Sequence, residues 1–117
     1  MNKLANETFD VAKKGTPSID AKEAEELLAR LPAWSIIHDN STDKLQREYQ
    51  FSDYLMLVDL TAKIGSIAEQ ANHHPVLVLE WGKLTVSWWT HTIGGLHRND
   101  FIMAARCDRV AKLISAP

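Results

Sequence analysis

Two strand-like runs stand almost back to back in this chain, and they constrain its fold more than any other feature. Val76-Leu77-Val78-Leu79-Glu80-Trp81 and Leu84-Thr85-Val86-Ser87-Trp88-Trp89-Thr90-His91 are rich in β-branched and aromatic side chains, the types that pack well on a pleated surface. Only Gly82-Lys83 separates them. A chain that reverses within so short a turn must pair with itself antiparallel, so the segment predicts a hairpin.

A second hairpin is predicted upstream. Trp34-Ser35-Ile36-Ile37 is a short strand candidate and His38-Asp39-Asn40-Ser41 reads as its turn. Residues 45–51 then alternate, with Leu45, Arg47, Tyr49 and Phe51 on one side and Gln46, Glu48 and Gln50 on the other. This is the pattern of a half-exposed antiparallel strand, with Arg47 laid along the surface. Helices fill the intervals. Asp20 and Glu23 have the spacing of a capping box, Ala24, Leu27, Leu28 and Leu31 share a face, and Pro32 ends the helix near Leu31. The next helix starts at Ser52 or Asp53 and stops at about Asn72, just before Pro75. Gly65 inside it costs about 1 kcal/mol relative to alanine, unless it permits close packing onto a sheet. A last helix covers about residues 99–114, with His97 or Asn99 as its cap and Asp100 in its first turn. The element order α-β-β-α-β-β-α predicts an α+β fold, a four-stranded antiparallel sheet with three helices packed on one face. The edge strands of such a sheet, and the ample apolar faces of the helices, point to a homo-oligomer, dimer or tetramer.

The chain has 117 residues, the size of one domain. Residues 1–19 read as an N-terminal extension that Phe9 and Val11 tack to the surface, and residues 20–117 as the domain proper. A net charge of -2 gives no electrostatic reason to bind nucleic acid. Apolar runs such as Leu55-Met56-Leu57-Val58 and Val76-Leu77-Val78-Leu79 fall far short of the roughly 20 residues that span a bilayer. With no signal-like segment and a single cysteine, Cys107, the expected compartment is a reducing cytoplasm. Cys107 lies mid-helix with no base beside it and reads as packing.

Chemistry is concentrated in the histidines. His73 and His74 sit together at the end of the second predicted helix, where exposed carbonyls favour a charged imidazole. Imidazole takes and gives protons near neutral pH. Glu69, four residues before His73, is placed to hold one ring in a chosen tautomer. His91 closes the last predicted strand. Its alternation partners Thr85, Ser87 and Trp89 suggest a lined groove, while Leu84, Val86 and Trp88 face the other way; Trp81 and Trp88 read as core. Asp100 follows His91 by nine residues. Three histidines and a carboxylate are also a possible zinc donor set, but adjacent histidines diverge and neither an HExxH motif nor a cysteine pair is present. No metal and no cofactor are expected.

These residues form a spaced pattern. Glu69-Gln70-Ala71-Asn72-His73-His74-Pro75, then Trp81, His91 and Asp100, resembles the signature of the pterin-4a-carbinolamine dehydratases. Leu31-Pro32-Ala33-Trp34 resembles the family's entry to its first strand, and Gly94-Gly95-Leu96 with Asn99-Asp100-Phe101-Ile102-Met103-Ala104 resembles its entry to the C-terminal helix, particularly in bacterial members. The resemblance implies a lyase that dehydrates 4a-hydroxytetrahydropterin to quinonoid dihydropterin, recycling the pterin cofactor of an aromatic amino acid hydroxylase. It also implies the same sheet-and-helix fold, assembled as dimers or tetramers. The family's catalytic histidines fall on His73, His74 and His91, with Asn72, Trp89 and Thr90 as further substrate contacts and Glu69 and Asp100 as supporting acids. Asn72 stands where some members have an acid, and Trp89 where some have a small residue. A noncatalytic dimerisation or transcription-cofactor module of the same fold is the alternative, because some animal relatives serve that way. The retention of all three histidines favours catalysis.

Overall fold

The computed structural model describes residues 3–115. Met1 and Pro117, the outer ends of the expected extension and domain, lie outside the described residues. A 3-10 turn at Lys3–Asn6 is followed by α1 (Ala21–Leu28), β1 (Ser35–Asp39), β2 (Thr42–Gln50), α2 (Tyr54–Ala71), β3 (Val76–Glu80), β4 (Lys83–Trp88), a second 3-10 turn at His91–Ile93, and α3 (Arg98–Ser115). The strands form one antiparallel sheet in the order β1-β2-β4-β3. The α+β architecture and the element order are those expected from the sequence.

Strand alternation sets the core. Leu45 and Tyr49 of β2 and Leu84, Val86 and Trp88 of β4 are buried under the helices, as are Leu57, Leu60 and Ile64 of α2 and Phe101, Ile102 and Cys107 of α3. The opposite face carries Gln46, Glu48, Thr85 and, on the edge strand β3, the exposed Val76 and Val78. Burial pushes the Cys107 thiol well above the ordinary thiol range, so it stays protonated and packs as a small apolar group.

The first hairpin turns within the expected segment but more tightly, and the second turns one residue earlier than expected. In the first, His38 and Asp39 remain in β1, and Asn40-Ser41 alone make the turn, both with positive φ (50° and 66°). A two-residue turn of that kind matches the right-handed twist of the flanking strands, and the His38–Asp43 and Lys44–Asp39 pairs close the hairpin's end. In the second, Glu80 pairs with Lys83, so Trp81-Gly82 is the turn and Lys83 opens β4. Gly82 takes the left-handed φ of 86°. Trp81 is therefore not core; it stands 84% exposed at the hairpin tip. Gly65 also departs from expectation, since a Cβ there would touch nothing within 4 Å, so no close packing requires it.

Helix ends follow their local chemistry. The Asp20 side chain accepts from the Glu23 amide at 2.8 Å, capping α1. α1 closes at Leu28, earlier than Leu31, because Pro32 keeps Leu31 out of the helical region and the last amides tighten, Arg30 to Leu27 and Leu31 to Leu28. Asp53 caps α2 by accepting from Leu55 N at 3.0 Å, and α2 stops where Asn72 turns left-handed at φ 51°.

One polar knot ties α3 to the sheet. Asp108 accepts from Trp34 Nε1 at 3.0 Å, Arg47 Nη1 at 2.7 Å and the Tyr49 hydroxyl at 2.6 Å. Arg47 is thus paired with α3 rather than simply laid on the surface, with its guanidinium 4.1 Å from the Tyr49 ring centre. Burial, reinforced by neighbouring negative charge, drives the Tyr49 phenol far above its ordinary value, so it remains a donor throughout. Asp108→Ala strands three donors at once and is expected to cost about 2–3 kcal/mol of unfolding free energy. Urea titration followed by tryptophan fluorescence measures it, and Asp108→Asn should lose less.

Candidate active site

The left-handed Asn72 decides where the two adjacent histidines go. It breaks α2 one residue before His73, so His73 leaves the helical face on which Glu69 lies. The His73 ring turns inward instead. It stacks on Trp88 (centroids 5.6 Å apart, 13° between planes), and its Nε2 lies 2.6 Å from Asp100 Oδ1. Glu69 pairs with His74, whose Nε2 lies 2.8 Å from Glu69 Oε1. The expected Glu69–His73 pair is therefore replaced by two pairs, His73–Asp100 and His74–Glu69. The first is secluded and the second exposed.

Asp100 is completely buried, in the first turn of α3. Besides His73, it accepts from the Thr90 hydroxyl and from the His97 amide, both at 2.9 Å to Oδ2. A buried carboxylate with only donors around it acts as acceptor, and so places the His73 proton on Nε2. In the neutral ring, Nδ1 is then the nitrogen that carries the lone pair. His97 also caps α3, accepting from Asn99 N through Nδ1 at 3.0 Å.

β4 ends at Trp88 rather than continuing through His91. Thr90 makes an isolated bridge to Gly95, and His91 opens the second 3-10 turn, so the chain bends here instead of lying flat on the sheet. His91 is exposed, with its ring centre 4.4 Å from that of Trp89. On Trp89 also rests the Lys44 ammonium, 4.2 Å from a ring centre.

The predicted residues thus fall into three linked groups. His73, Thr90 and Asp100 share one hydrogen-bonded unit. His74 with Glu69 adjoins it through His73, and His91 with Trp89 adjoins it through Thr90. Asn72 is exposed at the helix end, whereas Thr90 is only 4% exposed with its hydroxyl already committed. A cleft of about 540 Å³ is lined by Ile19, Leu28, Ile36, His38, Gly95 and Leu96 among others, and by none of the three candidate histidines. Among the described residues, no group of three His, Cys, Asp or Glu side chains is arranged to hold a metal ion.

A family model, pterin 4 alpha carbinolamine dehydratase, matches residues 17–110. The chain belongs to the pterin-4a-carbinolamine dehydratase family. A relative from Microcystis aeruginosa assigned to it is 43% identical, over 94% of this chain and 95% of its own. Another from Gloeobacter violaceus is 40% identical over 97% of both chains. Among solved structures, a transcriptional coactivator/pterin dehydratase from Brucella melitensis superposes with a TM-score of 0.73, at 23% identity, covering 81% of this chain and 99% of that one. A pterin dehydratase-like RuBisCO assembly factor of the alpha-carboxysome has a TM-score of 0.58 at 18% identity, covering 68% and 89%. These two likenesses are of fold.

One participant, Lys44, and one pairing, that of the expected Asp100 with His73, were not legible in the sequence. Lys44 carried no signal linking it to Trp89, and the partner of His73 lies 27 residues away. Because Asp100 answers three donors, Asp100→Ala is expected to lower unfolding stability by about 2–4 kcal/mol, and Thr90→Val by about 1 kcal/mol. Denaturant unfolding of the purified variants checks both.

Proposed function

We propose that this chain dehydrates a 4a-hydroxytetrahydropterin to the quinonoid dihydropterin by histidine acid–base catalysis. The observation that carries the reading is the buried His73–Asp100 pair, an imidazole held by a carboxylate within family context. The reaction needs two proton movements. The C4a hydroxyl accepts a proton and leaves as water, while N5 gives up its proton and its electron pair closes the C4a=N5 bond. Lone-pair donation from N5 already weakens the C–O bond, so well-placed acids and bases suffice, each contributing typically 10²–10⁴-fold. No metal is required in this scheme.

His73 and His91 serve as the proton-transfer groups. Asp100 gives His73 a fixed tautomer with Nδ1 available, and His91 stands on a different support, Trp89. His74 binds and orients the pterin, steadied by Glu69. Asn72 and Trp89 flank the site as ring contacts. Thr90 acts through Asp100, because its hydroxyl is already engaged. The pterin so recycled serves an aromatic amino acid hydroxylase in the cytoplasm. Two chains or four assemble, covering the exposed Leu55 and Val58 of α2 and Val76 and Val78 of β3.

After subtraction of spontaneous dehydration, His73→Ala and His91→Ala are expected to lower kcat by about 10²-fold or more with little change in KM. His74→Ala should mainly raise KM. A wild-type protein that leaves the spontaneous rate unchanged would sink the assignment. Activity should survive chelator treatment verified by elemental analysis. Light scattering should give a multiple of the 13.2 kDa chain mass.

A further inference from the structure

The segment ahead of α1 is fastened to α3 at several points. Leu4 is fully buried. Glu7 receives both Nε and Nη2 of Arg98, at 2.8 and 2.9 Å, and those hydrogen bonds hold its carboxyl below the usual carboxylate range. Arg106 donates to the backbone carbonyls of Ala5 (3.1 Å) and Glu7 (2.8 Å), and the Asn99 amide donates to that of Asp10 (2.8 Å). Between the anchored Glu7 and Asp10 stands Phe9.

Its position is specific. The Phe9 ring meets the His73 ring in a T-shaped contact, centroids 5.7 Å apart and planes at 87°, while the Arg106 guanidinium lies 5.2 Å from the Phe9 ring centre. Trp88 already stacks on His73, and Asp100 already holds its Nε2. Phe9 adds a third constraint, from a segment that precedes residues 17–110 of the family match. Val11, two residues on, is 75% exposed and makes no comparable contribution, although the sequence suggested that both tack the segment down.

We propose that Phe9 is a positioning residue for His73: the N-terminal strap seats an aromatic ring beside the imidazole, holding it in line with Asp100 and keeping water from their hydrogen bond. The inference rests on the reading of His73 as a proton-transfer group. Its physical basis is that a hydrogen bond alone leaves a ring free to tilt, and that water competing for the carboxylate weakens the bond. Packing on a further side suppresses both, as preorganisation of a catalytic group requires.

The test uses the full chain with Phe9→Ala, Phe9→Leu, Glu7→Gln and, as a control within the strap, Val11→Ala. Nitrogen-detected NMR on histidine-labelled protein reads solvent exchange of the His73 Nε2 proton, and steady-state kinetics read pterin carbinolamine dehydration. Phe9→Ala is expected to speed the exchange and lower kcat about tenfold, with KM changed less than about twofold. Phe9→Leu, which restores apolar bulk, should recover most of both. Glu7→Gln, which loosens an anchor and leaves the ring, should speed exchange to a smaller extent, and it decides the matter should Phe9→Ala fail to fold. Val11→Ala should match wild type. Unchanged exchange in Phe9→Ala, or a rise in KM alone, overturns the proposal. If the wild-type protein does not accelerate dehydration, the functional reading falls, and imidazole exchange still decides whether Phe9 positions His73.

Discussion

A carboxylate with no solvent contact is tolerated only when its charge is answered, and Asp100 is answered from three parts of the chain. His73 comes from the end of α2, Thr90 from the segment leaving β4, and the His97 amide from the start of α3 itself. The N-terminal end of α3, with its outward amides, also favours negative charge there. One side chain thereby sets the relative position of three elements. Breaking any one bond leaves the carboxylate worse satisfied, so the three supports are coupled rather than additive.

The tryptophan pair shows how strand period organises the surroundings of that carboxylate. Trp88 faces the core and is fully buried, and the His73 ring lies nearly parallel on it. Trp89 points the other way and carries His91 and Lys44. Adjacent residues on an extended backbone thus present two imidazoles on two different aromatic supports. Hydrophobic packing and site construction share the same residues here, since the ring under His73 is also one of the largest in the core.

Much of this was legible from local pattern. Alternation in residues 45–51 and 84–88 placed Leu45, Tyr49, Leu84, Val86 and Trp88 inward, where they are found. Asp53 and Asn72 bounded α2 as cap and stop. The misreadings came where local spacing competes with backbone conformation. Glu69 and His73 have helical spacing, but the left-handed Asn72 removes His73 from the helix before that spacing can act. Trp81 carries the residue type of a core strand, yet the register Glu80–Lys83 leaves it at a turn. The partners of His73 and Trp89 were hidden for a different reason. Asp100 and Lys44 meet them only through the tertiary fold, and no single-chain periodicity encodes contacts of that range.

The solitary cysteine gives this fold a built-in gauge. Cys107 has no exposed surface, and its thiol is held protonated by its apolar surroundings. Reagents that attack thiolates meet neither access nor the reactive form while α3 stays seated on the sheet. Alkylation must therefore wait for the helix to lift, so its rate counts openings of the core without any introduced probe. The same seclusion guards the sulfur against oxidation, and damage there becomes a record of how often the molecule has come apart.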